Sequence, residues 1–66
     1  MIDIDSLRAE VKKLSLKATK AKMDLHDLSE ELPIDWQRIP EVAAAALDAF
    51  ESLDAKRAQL RALESA

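Results

Sequence analysis

A chain of 66 residues with a formal net charge of −3 leaves room for one small domain over residues 1–66. Such a domain buries too little surface to be comfortably stable alone, so a staple or a partner is expected. The absence of cysteine excludes disulfides and thiolate metal sites, and the absence of glycine removes phosphate-cradling loops and tight primed hairpin turns.

The start, Met1-Ile2-Asp3-Ile4-Asp5, is acidic and lacks the apolar run of a secretory signal. The longest uncharged run, Val42 to Leu47, falls far short of the roughly 20 residues of a membrane span. No membrane association and a cytoplasmic location are the expectation. Alanine, leucine, lysine and glutamate dominate, as in helical rods, and no strand-like alternation appears. The fold class read from this is all-α.

In helix one, apolar residues fall at Ile4, Leu7, Val11, Leu14, Ala18, Ala21, Leu25, Leu28 and Leu32. Gaps of three and four alternate without a break, which is a heptad seam. Asp3 or Asp5 can cap its start by accepting from unpaired amides. Pro33 stops it, because the residue before a proline is pushed out of helical geometry. The spacing predicts a helix over about 5–32, on the order of 40 Å long at 1.5 Å per residue.

Residues 33–39, Pro33-Ile34-Asp35-Trp36-Gln37-Arg38-Ile39, read as the turn, with Asp35 capping a short helical turn that holds Trp36. Pro40 suits the first turn of helix two, predicted over about 40–64. Val42, Ala46, Ala49, Leu53, Leu60 and Leu63 continue at heptad spacing, with Phe50 beside the seam and Lys56 where an apolar residue is expected. The end, Glu64-Ser65-Ala66, is expected to fray.

Two helices of similar length joined by a short connection make an antiparallel two-helix hairpin. One hairpin leaves half of each seam facing water, so a homodimer closing a rod-like four-helix bundle is the economical arrangement. Ala18, Ala21 and the Val42-Ala43-Ala44-Ala45-Ala46 run let helices approach closely. Leu16 and Met23 lie seven apart on the outer face. They are either isolated surface apolar residues or a stripe for a further contact.

Charge is segregated. Residues 1–22 carry net +3, residues 23–54 net −8, and residues 55–66 net +2. Folding the hairpin gathers the positive segments at its open end and leaves the turn end acidic. A solvated surface, steering of one hairpin by another, and a nucleic-acid patch of Arg8, Lys12, Lys13, Lys17, Lys20 and Lys22 all fit. Nucleic acid is not expected, because the domain is acidic and has no aromatic residues interleaved with those bases.

The sole histidine, His26, follows seam residue Leu25 and lies at the edge of the core. Met23 and Glu30 share its helical face, and Asp27 points partly away. A His-x-x-x-Glu pair can give a divalent ion two ligands, where zinc usually needs three or four. A two-fold axis near His26 would supply a second imidazole. The plain alternative is a surface histidine paired with Glu30. Met23, Asp24 and Asp27 are the candidate partner-contact residues. No serine has a histidine placed to activate it, and an open rod offers no evident pocket, so no enzyme activity is expected.

The run Lys22-Met23-Asp24-Leu25-His26-Asp27-Leu28, followed by Glu30, Leu32-Pro33 and Trp36, resembles the signature of a small Rop-like family encoded in nitrogen-fixation gene clusters. Glu10-Val11-Lys12-Lys13-Leu14 and Lys17-Ala18 fit it upstream. Val42-Ala43, Ala49-Phe50 and Leu53-Asp54-Ala55-Lys56 fit more loosely downstream. The resemblance implies a dimerising hairpin with an accessory role in nitrogen fixation, acting through contacts with nitrogenase or its cofactor-assembly proteins. It also implies a divalent-metal site (nickel or zinc) at His26, with Glu30 as the second ligand suggested by spacing. The alternatives are a Rop-like RNA-binding regulator and a metal carrier for nitrogenase assembly.

Overall fold

Asp3 begins the first helix. Its carboxylate accepts from the Asp5 backbone N–H at 3.2 Å and from the Ser6 hydroxyl at 3.3 Å, which satisfies an amide the helix leaves unpaired. A computed structural model describes residues 3–65; Met1, Ile2 and Ala66 lie outside the described residues. Helix α1 spans Ile4–Glu31 and helix α2 spans Ile39–Ser65, with a single 3-10 turn over Trp36–Arg38 between them. There is no strand among the described residues.

Leu32 ends α1 at φ −56°, ψ 141°, the extended geometry that the Pro33 ring imposes on its predecessor. The Leu32–Pro33 peptide is cis. The corner then closes through backbone bonds from Ile34 N–H to the Glu31 carbonyl (3.0 Å) and from Arg38 N–H to the Asp35 carbonyl (2.9 Å). Asp35 stands at the N-terminal position of the 3-10 turn, but the expected side-chain cap is not made. Its backbone is left-handed, φ 58°, and the turn is held by its carbonyl. Aspartate visits that region more readily than most residues, which suits this position in a chain without glycine.

The hairpin is a rod of 49 × 17 × 14 Å. Its buried residues are Leu7, Ala18 and Leu28 from α1 and Val42, Ala46, Ala49 and Leu53 from α2, all at seam positions. Ala18, Ala49 and Leu53 form the central cluster, with Val11, Leu14 and Ala21 packed around it. Three of the seven buried residues are alanines, which bring the two backbones close.

Lys56, the odd residue of the second seam, is only partly buried and reaches out to Glu10 at 3.1 Å, so its stem lies on the core and its ammonium stays in water. Arg8 meets Glu64 at 3.0 Å, which ties down the last turn; Glu64 and Ser65, expected to fray, are helical, and Ala66 lies outside the described residues.

These cross-pairs fix the antiparallel register, and the register sharpens the charge pattern. Arg8 and Glu10 face Glu64 and Lys56, and Ala18 packs with Ala49. The lysine-rich stretch from Lys12 to Lys22 therefore runs alongside Asp48, Glu51 and Asp54. The rod is polarised along its axis, as its sequence implies, and across its middle as well.

Candidate functional site

The last turns of α1 carry the one histidine. His26 stands well out of the core, with 60% of its side chain exposed. Its Nδ1 lies 3.6 Å from Asp27 Oδ1 and its Nε2 3.5 Å from Glu30 Oε1. Both distances exceed hydrogen-bond range, so these are charge contacts that act when the imidazole is protonated. The Ser29 hydroxyl donates to the His26 carbonyl at 2.7 Å. Asp24 is engaged one turn back by Lys20 at 3.2 Å, and Met23 is half-exposed.

Asp27 departs from the sequence expectation. It comes beside the ring and does not point away, because a short aspartate side chain reaches Nδ1 from the next residue. The two carboxylates thus sit at opposite nitrogens of one ring and do not converge on a common point. Accordingly, among the described residues no group of three or more His, Cys, Asp or Glu side chains is placed to hold a metal ion. One chain offers an ion at Nε2 two ligands, His26 and Glu30, short of what a zinc site requires.

On the flank of the hairpin, Ala21, Asp24, Arg38, Glu41, Val42 and Ala45 line a shallow, open cleft. Arg38 Nε donates to Glu41 Oε1 at 2.9 Å, and that carboxylate raises the guanidinium pKa above its ordinary value. The pair spans the 3-10 turn and the first turn of α2, bracing the corner. Sequence reasoning did not single it out, although the i, i+3 spacing carries the signal. It also treated Ile34 only as a turn residue and Trp36 as a turn and signature residue, whereas both side chains stand out into solvent.

The seam is unevenly covered. Leu25, Leu32 and Leu63 occupy seam positions yet remain substantially exposed, as do Ile39, the first residue of α2 and three before seam residue Val42, and Phe50 beside the seam. No buried polar or charged residue occurs among the described residues. No helix among them is long and apolar enough to cross a membrane.

A family model described as Rop-like matches residues 2–65. The chain belongs to the Rop-like family. A UPF0437 protein of Azorhizobium caulinodans is 52% identical over 65 residues, covering 98% of this chain and 94% of the relative. One from Trichormus variabilis is 46% identical over 61 residues, covering 92% and 71%. A relative in Frankia alni, 40% identical over 52 residues (79% of this chain, 63% of the relative), is named for a nifX-nifW intergenic region.

An NMR structure from a structural genomics consortium shares 45% identity and superposes with a TM-score of 0.89, covering 98% of this chain and 92% of the other. The resemblance to a small Rop-like family of nitrogen-fixation gene clusters is thereby borne out, with one relative named for a nif intergenic region.

Proposed function

We propose that this Rop-like chain is a non-enzymatic accessory protein of nitrogen fixation that acts through protein contacts as a homodimeric four-helix rod. The observation that carries the dimer is the uneven seam. Leu25, Leu32, Ile39 and Leu63 repeat at core spacing but find no cover within one hairpin. A second copy laid along that face with its turn at the opposite end would cover them, and would keep the two acidic turn ends apart.

Nitrogen fixation enters through the Frankia relative, whose name refers to a nifX-nifW intergenic region. The absence of any buried titratable side chain among the described residues supports a binding role over a catalytic one. Nitrogenase and its cofactor-assembly proteins are the partners to test first, in the cytoplasm, with Met23, Asp24 and Asp27 in the contact. Sedimentation equilibrium tests the dimer; a monomer at high micromolar concentration refutes it. Affinity capture from nitrogen-fixing cells, compared with His26→Ala and with a charge reversal of the acidic end, tests the partner reading.

A second reading has one observation behind it. Glu30 lies on the Nε2 side of His26 on an open helical face, so two copies meeting turn end to turn end, in place of the arrangement above, would pool two imidazoles and two carboxylates around a nickel or zinc ion. A carrier role would follow from that site. Unchanged Ni²⁺ or Zn²⁺ affinity in His26→Ala removes it. An RNA-binding role has less support, because Asp48, Glu51 and Asp54 run alongside the lysine-rich stretch of α1.

A further inference from the structure

The turn end of the rod displays apolar side chains that neither helix covers. Ile34 is 66% and Trp36 58% exposed, with Leu32 and Ile39 partly exposed behind them. Exposed apolar residues scattered singly need no explanation, but Ile34 and Trp36, the only tryptophan of the chain, stand two positions apart at the turn, beyond the Leu32 and Ile39 that the lateral seam engages.

The corner that presents them is braced. The Ile34 and Arg38 amides bond to Glu31 and Asp35 at 3.0 and 2.9 Å, the Ile39 amide bonds to the Trp36 carbonyl, and Arg38 grips Glu41. Side chains held on a closed corner lose little freedom when a partner covers them. Around them the charge is predominantly negative. Residues 27–41 contain Asp27, Glu30, Glu31, Asp35 and Glu41 against Arg38 alone, and Glu31 and Asp35 are free of ion pairs among the described residues.

We infer that this tip is a docking point for a different protein, one presenting an apolar surface framed by lysine and arginine. An apolar centre with Trp36 as anchor and a charged rim has the layout of a binding hot spot. The acidic rim selects a basic frame and rejects an acidic one.

A second copy of the chain also has basic residues, at its open end. A tip-to-open-end contact is head-to-tail, however, and leaves each molecule with a free tip and a free open end, so it grows without closing. The lateral seam, in contrast, closes on itself with two copies. The inference rests on the reading of the chain as a protein-contact module and supplies the chemistry of the contact.

Trp36, as the sole tryptophan, reports the tip by its own fluorescence. The full chain is titrated with a synthetic amphipathic leucine–lysine helix and with its leucine–glutamate counterpart. Expected is a blue shift of Trp36 emission with the lysine helix only, weakening as salt is raised. Ile34→Ser is expected to weaken binding by about tenfold, the loss of one apolar anchor, and Glu31→Lys to weaken it too. Leu16→Ser, on the outer face of α1, should leave it unchanged.

Both tip substitutions fall on exposed side chains, and circular dichroism checks that helicity is kept. A silent Trp36, an equal response to both helices, or equal weakening by Leu16→Ser overturns the inference. So does a blue shift that appears with rising concentration of the chain alone, which would mean that a second copy covers the tip. A dimer by sedimentation with a silent Trp36 overturns the tip alone, whereas a monomer with a responsive Trp36 overturns the dimer and leaves the tip standing.

Discussion

Leu47 and Leu53 lie on the same helix, six residues apart, and the same substitution should be nearly neutral at the first and strongly destabilising at the second. Leu53 is 3% exposed within the central cluster, and Leu47 is 62% exposed. Truncating leucine to alanine at 53 removes three buried carbons, worth about 2.4 kcal/mol at ~0.8 kcal/mol each. A cavity term adds to this, because the neighbours Ala18 and Ala49 have no side chains long enough to swing into the gap. A total of about 3–4 kcal/mol follows, inside the range of about 2–5 for buried leucines.

Stability of a domain this size is about 3–10 kcal/mol, so Leu53→Ala removes a large part of it. The melting temperature should fall by more than about 12 °C, at about 4 °C or more per kcal/mol for small domains. Leu47→Ala should stay within about 0.5 kcal/mol of the parent. Thermal melts followed by far-UV circular dichroism at matched concentrations read both. Equal shifts in the two variants, or a loss below about 1 kcal/mol at Leu53, would refute the assignment of the central cluster.

Asp3→Ala deletes the cap of α1 and should cost about 1 kcal/mol, read in the same melts, with amide exchange quickened at Asp5. Arg8→Ala removes the exposed pair with Glu64 and should change stability by less than about 1 kcal/mol, with the difference from the parent vanishing at high salt. Leu14→Asp sets a charge against the central cluster and deletes the apolar contact that Leu14 makes there. The loss should exceed about 3 kcal/mol and unfold the chain; a folded protein of undiminished melting temperature contradicts the core.

Those expectations divide along the line between what spacing encodes and what it does not. The burial of Leu7, Leu28, Ala49 and Leu53 was legible because a three-four repeat puts such residues on one face whatever the helix packs against. The stop at Leu32 was legible for a local steric reason, since Pro33 acts on its immediate neighbour. The left-handed backbone at Asp35 was not, because closing the corner depends on how both helices approach it, and no residue pattern marks the position. Asp27 was placed away from His26 by its position on the helix, but contact at the next residue is decided by side-chain rotamers. The Lys56–Glu10 pair needed the inter-helix register, which periodicity leaves free to slide.

The His26 neighbourhood shows where such reasoning stops short of function. Periodicity assigns Leu25, Leu28 and Leu32 to the seam, yet only Leu28 is buried within one hairpin. Leu25, exposed beside His26, therefore links the two open questions about this end of the rod. If a second hairpin covers Leu25, it must pass close to His26 and Glu30, and any ion held there would be held between copies. Dimer formation that leaves the His26 ring resonances unmoved on dilution would separate the two, and the exposed imidazole would then belong to the acidic outer surface rather than to the interface.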